Sequence, residues 1–345
     1  MNKTITVLAG DGIGPEICAE AIKVLNAIAK KYCHCFDYIF KDFGGAAIDH
    51  YGTPFPFDAR QAVLSSDAVL LGTVGGPSWS KREKSPESGL LALQGTVGAY
   101  AYLRHVKIHD PLISSSPLKE EICRGTDILI VRELAGGIYF GKHGNAPDGS
   151  SAFDTEEYSG GEIQRIAELA FGQALTRNKR LCSVDKSDRL DSSRLWRRCV
   201  DAVSRAYPDV ELTHMHAEQA AARLISDPNQ FDVLLCPNML GDILSEQASS
   251  LTGLSISPCA CIGGKVGIFT PAMTSQVEIA GHNLADPIGA ILCSALMLRD
   301  FGLFDEALCI EQAVSSTLSE GIFTRDISQS GVTCSEMGDA IKNNI

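Results

Sequence analysis

No apolar run in this sequence approaches the roughly 20 residues needed to span a bilayer, and no long apolar stretch follows the charged start at Lys3. Membrane insertion and export are therefore excluded as readings, and the cytosol is the expected compartment. Positive charge is also scarce: 30 Lys and Arg stand against 42 Asp and Glu, a formal net charge of -12. Nucleic acid and anionic membrane would be repelled, so neither is an expected partner. Zinc spacing is missing too. The 12 cysteines are scattered, most of them in apolar contexts, and Cys33-His34-Cys35 and Cys259-Ala260-Cys261 lack a second pair at ligand distance. Free thiols are expected throughout. Internal repeats, low-complexity tracts and a clean linker are absent. So is the dinucleotide fingerprint, because Gly10-Asp11-Gly12-Ile13-Gly14 brings its third glycine one residue early; it reads as a tight structural turn.

What remains is a chain of 345 residues, 45% hydrophobic and 21% charged, enough for one or two sizeable cores. Thr4 to Leu8 is β-branched and apolar, the glycine turn breaks it, and Pro15 suits the first turn of a helix. From Glu16 to Ile28 apolar residues recur at helical spacing, with Ile17, Ala21, Val24, Leu25 and Ile28 on one stripe. Buried strands are expected at Ala68 to Gly72, Ile128 to Val131 and Val233 to Cys236. Strands alternating with helical stretches predict an α/β fold with an open, mostly parallel sheet and flanking helices. The segment Gly141 to Gly160, rich in Gly, Ser, Asp, Asn and Pro, is too long for a simple connection and reads as a protruding arm.

Two constellations carry chemistry. Asp242 and Glu246 stand at i,i+4 in an expected helix and project from one face; with Glu218 they offer hard oxygen ligands suited to Mg²⁺ or Mn²⁺, although such acid pairs are also common on solvated faces. His214-Met215-His216 could present two rings to a metal or simply be a polar strand end. Arg104, Arg132, Tyr139 and Lys186 each lie at or near the end of an apolar segment. In open α/β sheets ligands gather beyond the carboxyl ends of strands, where an arginine can clamp a carboxylate through two parallel hydrogen bonds.

Several segments, taken in order, are recognisable: Leu8 to Glu16, Phe43 to Asp49, Leu71 to Pro77, Val131 to Gly141, Ser183 to Lys186, Gly241 to Ser245 and Glu336 to Ala340. With them the chain resembles the isocitrate/isopropylmalate family of metal-dependent β-decarboxylating dehydrogenases over essentially its whole length, the isopropylmalate branch most closely. The resemblance implies a two-lobed fold with a discontinuous first domain, residues 1–100 plus 253–345, and a second domain at 101–252 bearing dimerisation, metal and catalytic groups. It implies a homodimer with shared active sites, a small-molecule substrate, and NAD with Mg²⁺ or Mn²⁺ as cofactors. The activity implied is oxidative decarboxylation of a 3-substituted malate, by default 3-isopropylmalate in leucine biosynthesis. Arg104 and Arg132 would hold the malate carboxylates, with Leu90, Gln94, Arg189 and Glu218 around the substrate. Tyr139 would protonate carbon after CO₂ leaves, and Lys186 from the other subunit, with a lowered pKa, would take the C2 hydroxyl proton. Glu218, Asp242 and Glu246 fall on the metal positions. NAD would lie against Gly75, Gly76, Pro77, Glu87, Asp188, Thr274, Ser275, Glu278 and Asp286.

The sequence departs from the family mostly at those positions. Gln94 stands where an arginine is usual, and Ser187-Asp188-Arg189-Leu190 replaces Ala-Asn-Val-Leu, bringing a charge toward an apolar pocket. Glu218 and Glu246 replace aspartates. Thr274-Ser275-Gln276-Val277-Glu278 replaces Gly-Ser-Ala-Pro-Asp, putting a β-branched residue where glycine lets a cofactor approach closely. Glu278 would accept a ribose diol and repel a 2′-phosphate, favouring NAD over NADP. Asp286 replaces an asparagine. Three readings stay open: the isopropylmalate enzyme, a sister enzyme for a malate with a polar or acidic γ-group, and a silent paralogue that binds a metabolite or protein.

Overall fold

The computed structural model describes residues 1–79 and 84–345, which divide into two compact units. The first comprises Met1–Ala99, His109–Ser115 and Leu254–Ile345, and the second Tyr100–Ile108 and Ser116–Gly253. No helix among the described residues is long and apolar enough to cross a membrane.

Taken in chain order, the first unit opens with β1 (Asn2–Gly10), α1 (Gly14–Tyr32), β2 (Cys35–Phe40), α2 (Gly44–Tyr51), α3 (Phe57–Ser65), β3 (Ala68–Thr73) and α4 (Pro86–Val97). The second holds β4 (Ala101–Lys107), α5 (Glu120–Cys123), β5 (Asp127–Glu133), β6 (His143–Asn145), β7 (Ala152–Asp154), α6 (Gly160–Leu175), β8 (Arg180–Asp185), α7 (Asp191–Ser204), β9 (Glu211–His216), α8 (Ala217–Ser226), β10 (Val233–Cys236) and α9 (Asn238–Ser249). The chain then returns to the first unit with β11 (Pro258–Ile262), β12 (Gly267–Pro271), α10 (Ile288–Asp300), α11 (Phe304–Ser319) and α12 (Cys334–Asn343).

In the first unit the strands run β2-β1-β3-β12-β11, parallel except for the last pair. A parallel strand covered on both faces reads as a continuous apolar run, and β3 is buried at all six positions. On α1 the stripe Ile17, Ala21, Val24, Leu25 and Ile28 is fully buried, each large side chain contributing about 1.5–3 kcal/mol by leaving water. Pro15 occupies the first turn, and the helix stops at Cys33 in a left-handed cap whose N–H bonds the Ala29 carbonyl.

In the second unit the order is β4-β5-β10-β8-β9, antiparallel only between β4 and β5. Its core joins Val106, Ile128, Ile130, Val184, Leu224, Phe231, Leu234 and Leu244. Because β5, β8 and β10 are parallel, their carboxyl ends lie at one edge, and each opens directly into polar sequence: Arg132-Glu133, Asp185-Lys186 and Asn238. Within 141–160, β6 and β7 pair as a short antiparallel hairpin. The cysteines of both units are free thiols, most of them buried, and Cys236 and Cys293 are pushed well above the usual thiol range by burial.

Candidate active site

The second unit gathers its functional groups around the start of α9. Pro237 ends the β10 connection in an extended conformation, and the helix begins at the buried Asn238, whose N–H is bonded by the Tyr158 hydroxyl oxygen at 2.8 Å. Asp242 and Glu246 then lie on one helix face. Arg132, at the end of β5, donates through Nε and Nη2 to Asn238 Oδ1 at 3.0 and 2.9 Å and through Nη1 to Asp242. Arg104, from β4, donates to Glu246 Oε1 at 2.6 Å, to Ser249 Oγ at 3.2 Å and to the Tyr102 hydroxyl at 2.8 Å. Both guanidinium groups lie beside the Tyr102 ring, at 5.4 and 5.9 Å from its centroid, a favourable arrangement for a cation against a π face. Two arginines and two acids thus neutralise one another, the acids facing solvent at 68% exposure for Glu246 and 42% for Asp242 while the Arg104 and Arg132 side chains are largely buried.

Tyr139 reaches the same cluster, its hydroxyl donating to Asp242 Oδ2 at 3.0 Å. The turn before it is held by Glu133, a fully buried carboxylate that accepts from Ala135 N and Gly136 N at 2.8 Å each, and by Asn238 Nδ2 on the Gly136 carbonyl. Burial, then the hydrogen bond to Asp242 and its charge, pushes the Tyr139 phenol above its ordinary value.

A second cluster in this unit lies beyond β8 and β9. Lys186 Nζ donates to Glu218 and contacts Asp188 Oδ1 at 3.3 Å. The expected lowering of the lysine pKa is reversed here: the hydrogen bond to Glu218 raises it, and Lys186 in turn lowers that of Glu218. Asp188, His216 and Glu218 bring ligating atoms within 4.8 Å of one another, the one such trio among the described residues. Glu218 therefore does not join Asp242 and Glu246 inside a single chain. The His214 ring bonds Asp201 through Nε2 at 2.8 Å. Arg189 is 79% exposed and turns onto Asp188 at 3.4 Å.

The first unit carries a loop cradle. Gly75 has φ +102° and Gly76 φ +148°, conformations that only glycine adopts without strain. A Cβ on Gly75 would lie 2.7 Å from Glu87 Oε1, and one on Gly76 would lie 3.1 Å from both Trp79 and Val277. The Gly75–Pro77 loop, Glu87 and the Thr274–Glu278 segment therefore meet so closely that even a methyl group at either glycine would crowd its neighbours. Ser275 is buried while Thr274 and Glu278 are exposed. The glycine-to-threonine exchange at Thr274 costs no backbone strain, since Thr274 is not in the left-handed region; the strain falls on Gln276, at φ +39°. Asp286 is buried. Its Oδ1 accepts from Ile288 N at 2.8 Å and caps α10, while its pKa is raised to about 7 by burial and by Asp326. On α4, Gln94 reaches Cys261 Sγ at 3.5 Å, Leu90 is half-buried and Leu91 exposed.

Sequence reasoning missed Tyr102, Glu133 and Asn238. Tyr102 had a signal, because Tyr102 and Arg104 alternate on one face of a strand. Asn238 had a weaker one, its place directly after a buried strand. Glu133 acts through backbone N–H groups and left none.

Comparison with known proteins matches nearly the whole chain. The isocitrate/isopropylmalate dehydrogenase family model matches residues 4–341. A 3-isopropylmalate dehydrogenase of Shouchella clausii is 49% identical over 95% of this chain and 93% of its own, and one of Wolinella succinogenes is 46% identical over 98% and 97%. The crystal structure of isocitrate dehydrogenase from Methylococcus capsulatus superposes with a TM-score of 0.87 at 26% identity, covering 99% of each chain. A match this long, with arginines, acids and tyrosine assembled at one sheet edge, makes the chain a member of the isocitrate/isopropylmalate dehydrogenase family.

Proposed function

We propose that this protein catalyses the NAD-dependent oxidative decarboxylation of a 3-substituted malate, 3-isopropylmalate above all, as a step of leucine biosynthesis. The observation that carries the reading is the cluster on α9, where Arg104 and Arg132 hold Glu246 and Asp242 with the Tyr139 hydroxyl alongside. A dicarboxylate entering there exchanges with the protein's own carboxylates for the two guanidinium groups, which orient it through paired hydrogen bonds. Freed in this way, Asp242 and Glu246 fit a small hard cation, because Mg²⁺ commonly takes one or two protein carboxylates and completes its shell with water and substrate oxygens. When bound, the divalent ion supplies positive charge beside the substrate oxygens and the nicotinamide supplies a hydride acceptor. Tyr139, with its raised pKa, holds a proton at its hydroxyl ready for the carbon that loses CO₂.

The remaining groups support a homodimer with shared sites. Lys186 and Glu218 are bound to each other and stand apart from the α9 acids in one chain, so the proposal assigns them to the site of a second copy. There Lys186 would meet the C2 hydroxyl, with Glu218 as the carboxylate that exchanges its proton. The glycine cradle with Glu87 and Thr274 to Glu278 is assigned to NAD, and the exposed Glu278 favours NAD over its 2′-phosphate. Arg189 is offset by Asp188, so it brings no unneutralised charge to an isopropyl group, which favours the isopropylmalate reading over one requiring an acidic γ-substituent.

Purified protein assayed with NAD, Mn²⁺ and a panel of isopropylmalate, isocitrate, malate and tartrate is expected to form NADH and CO₂ with isopropylmalate fastest. Chelation should abolish turnover and Mn²⁺ restore it. NADH from isocitrate or tartrate but not from isopropylmalate would replace the substrate assignment; no NADH from any of the four would reject the enzyme.

A further inference from the structure

The turn between β1 and α1 lacks the spacing of a dinucleotide fingerprint, yet its buried Asp11 bonds the Gly75 loop of the cradle, and Ile13 of the same turn bonds the Ser275 segment. The carboxylate is 3% exposed and accepts three backbone hydrogen bonds: from Gly45 N at 2.9 Å and Gly75 N at 2.8 Å on Oδ2, and from Ala46 N at 2.8 Å on Oδ1. Phe43 stands at the N-cap of α2 and has no side chain able to accept, so Asp11 caps that helix from a distance. The same oxygen that holds α2 also holds Gly75. The main chain of the turn is fixed on both sides. Asp11 N donates to Thr73 O at 2.7 Å, Thr73 Oγ1 donates to Asp11 O at 2.6 Å, and Ile13 N donates to Ser275 O at 2.9 Å. One short turn is thus bonded to both Gly75 and Ser275. Burial pushes the Asp11 carboxyl above its ordinary value and the charge of Glu87, whose carboxylate lies against Gly75, adds to this, while the three N–H groups offset it only in part.

We infer that Asp11 is a positioning residue that holds the Gly75–Pro77 loop and the Thr274–Glu278 segment in register for the dinucleotide. The inference rests on the assignment of that cradle to NAD. Asp11 touches neither substrate nor cofactor; it acts through the N–H of Gly75 and through the turn that carries it. A residue that only stabilised the fold would lower the melting temperature and leave the Michaelis constants alone, whereas a positioning residue changes the constant for one substrate and not the other.

Asp11→Asn keeps the shape but offers one accepting oxygen, so at least one of the three N–H groups loses its partner. The expected result is a rise of about tenfold in KM for NAD, the size of one lost hydrogen bond to a charged group, with KM for the malate changed by less than about twofold. An unaltered KM for NAD in the folded variant, or an equal rise in both constants, overturns the inference. Should that variant not fold, Thr73→Val removes only the hydroxyl that holds the Asp11 carbonyl. It should give the same selective rise at about threefold, one neutral hydrogen bond, and a non-selective or absent effect counts against the inference in the same way. Calorimetric titration of NAD into the unaltered protein separates the two failures. No binding there defeats the cofactor assignment itself, while binding that the variants leave unchanged defeats only the role of Asp11.

Discussion

The α9 cluster and the glycine cradle are built from opposite materials. In the second unit the atoms proposed to bind and react belong to side chains: two guanidinium groups, two carboxylates and a phenol, each held by another side chain such as Tyr102 or Asn238. In the first unit the shaping atoms belong to the backbone, with glycine φ values that leave room and N–H groups fixed by one buried carboxylate. The difference teaches where each site is vulnerable. A side-chain site fails when its chemistry is altered, even conservatively, and a backbone site fails when its volume is altered, even by one methyl group.

Arg132→Lys sharpens that contrast most. A lysine keeps the charge but cannot span Asn238 and Asp242 with one planar fork, so kcat/KM for the malate should fall by about 10³, with KM for NAD nearly unchanged. Steady-state kinetics with each substrate varied checks it, and a fall below tenfold would break the side-chain half of the comparison. Gly76→Ala tests the other half. The added methyl meets Trp79 and Val277 at 3.1 Å in a backbone conformation that alanine resists, and KM for NAD should rise about tenfold at constant KM for the malate. An alanine variant with ordinary NAD kinetics would show that the cradle has slack.

The smallest effect concerns a place in the first unit where a side chain does matter. Asp286 has its pKa raised from 3.8 to about 7 by burial and by Asp326, with Thr324 beside it and Cys334 nearby. A raised carboxyl pKa favours the protonated folded state, so the stability Asp286 contributes is fully present below about pH 4 and is lost as pH rises toward 7. Asp286→Asn stays neutral throughout. Its melting temperature should exceed that of the parent by a few degrees at pH 8 and match it near pH 4, as thermal unfolding at the two pH values will show. Equal melting temperatures at pH 8 would mean that Asp286 is not titrating in this range.

Much of this was legible from the sequence. β3, β5 and β10 are short apolar runs bounded by turn residues, and the α1 stripe follows helical spacing, so local pattern and burial agree. Arg132 could be singled out from its place at the end of a buried strand, whereas Arg104 within β4, Tyr139 and Asp242 take their expected roles from the family resemblance. What could not be read was anything that depends on partners distant in sequence. Asp11 looked like one residue of a glycine turn, since its three partners are backbone atoms of residues 45, 46 and 75. The bias of Lys186 toward its protonated form turns chiefly on Glu218, which meets its Nζ only in space.

The pairing of β3 with β12 carries a consequence for biosynthesis. During translation the strand Ala68–Thr73 emerges long before Gly267–Pro271, the neighbour that covers its open side. At ribosomal speeds that interval is about ten seconds or more, during which a largely apolar edge has no native mate. The nascent protein should therefore depend on a holdase, or on slow early collapse, to keep that edge from capturing the same strand of a neighbouring ribosome's product.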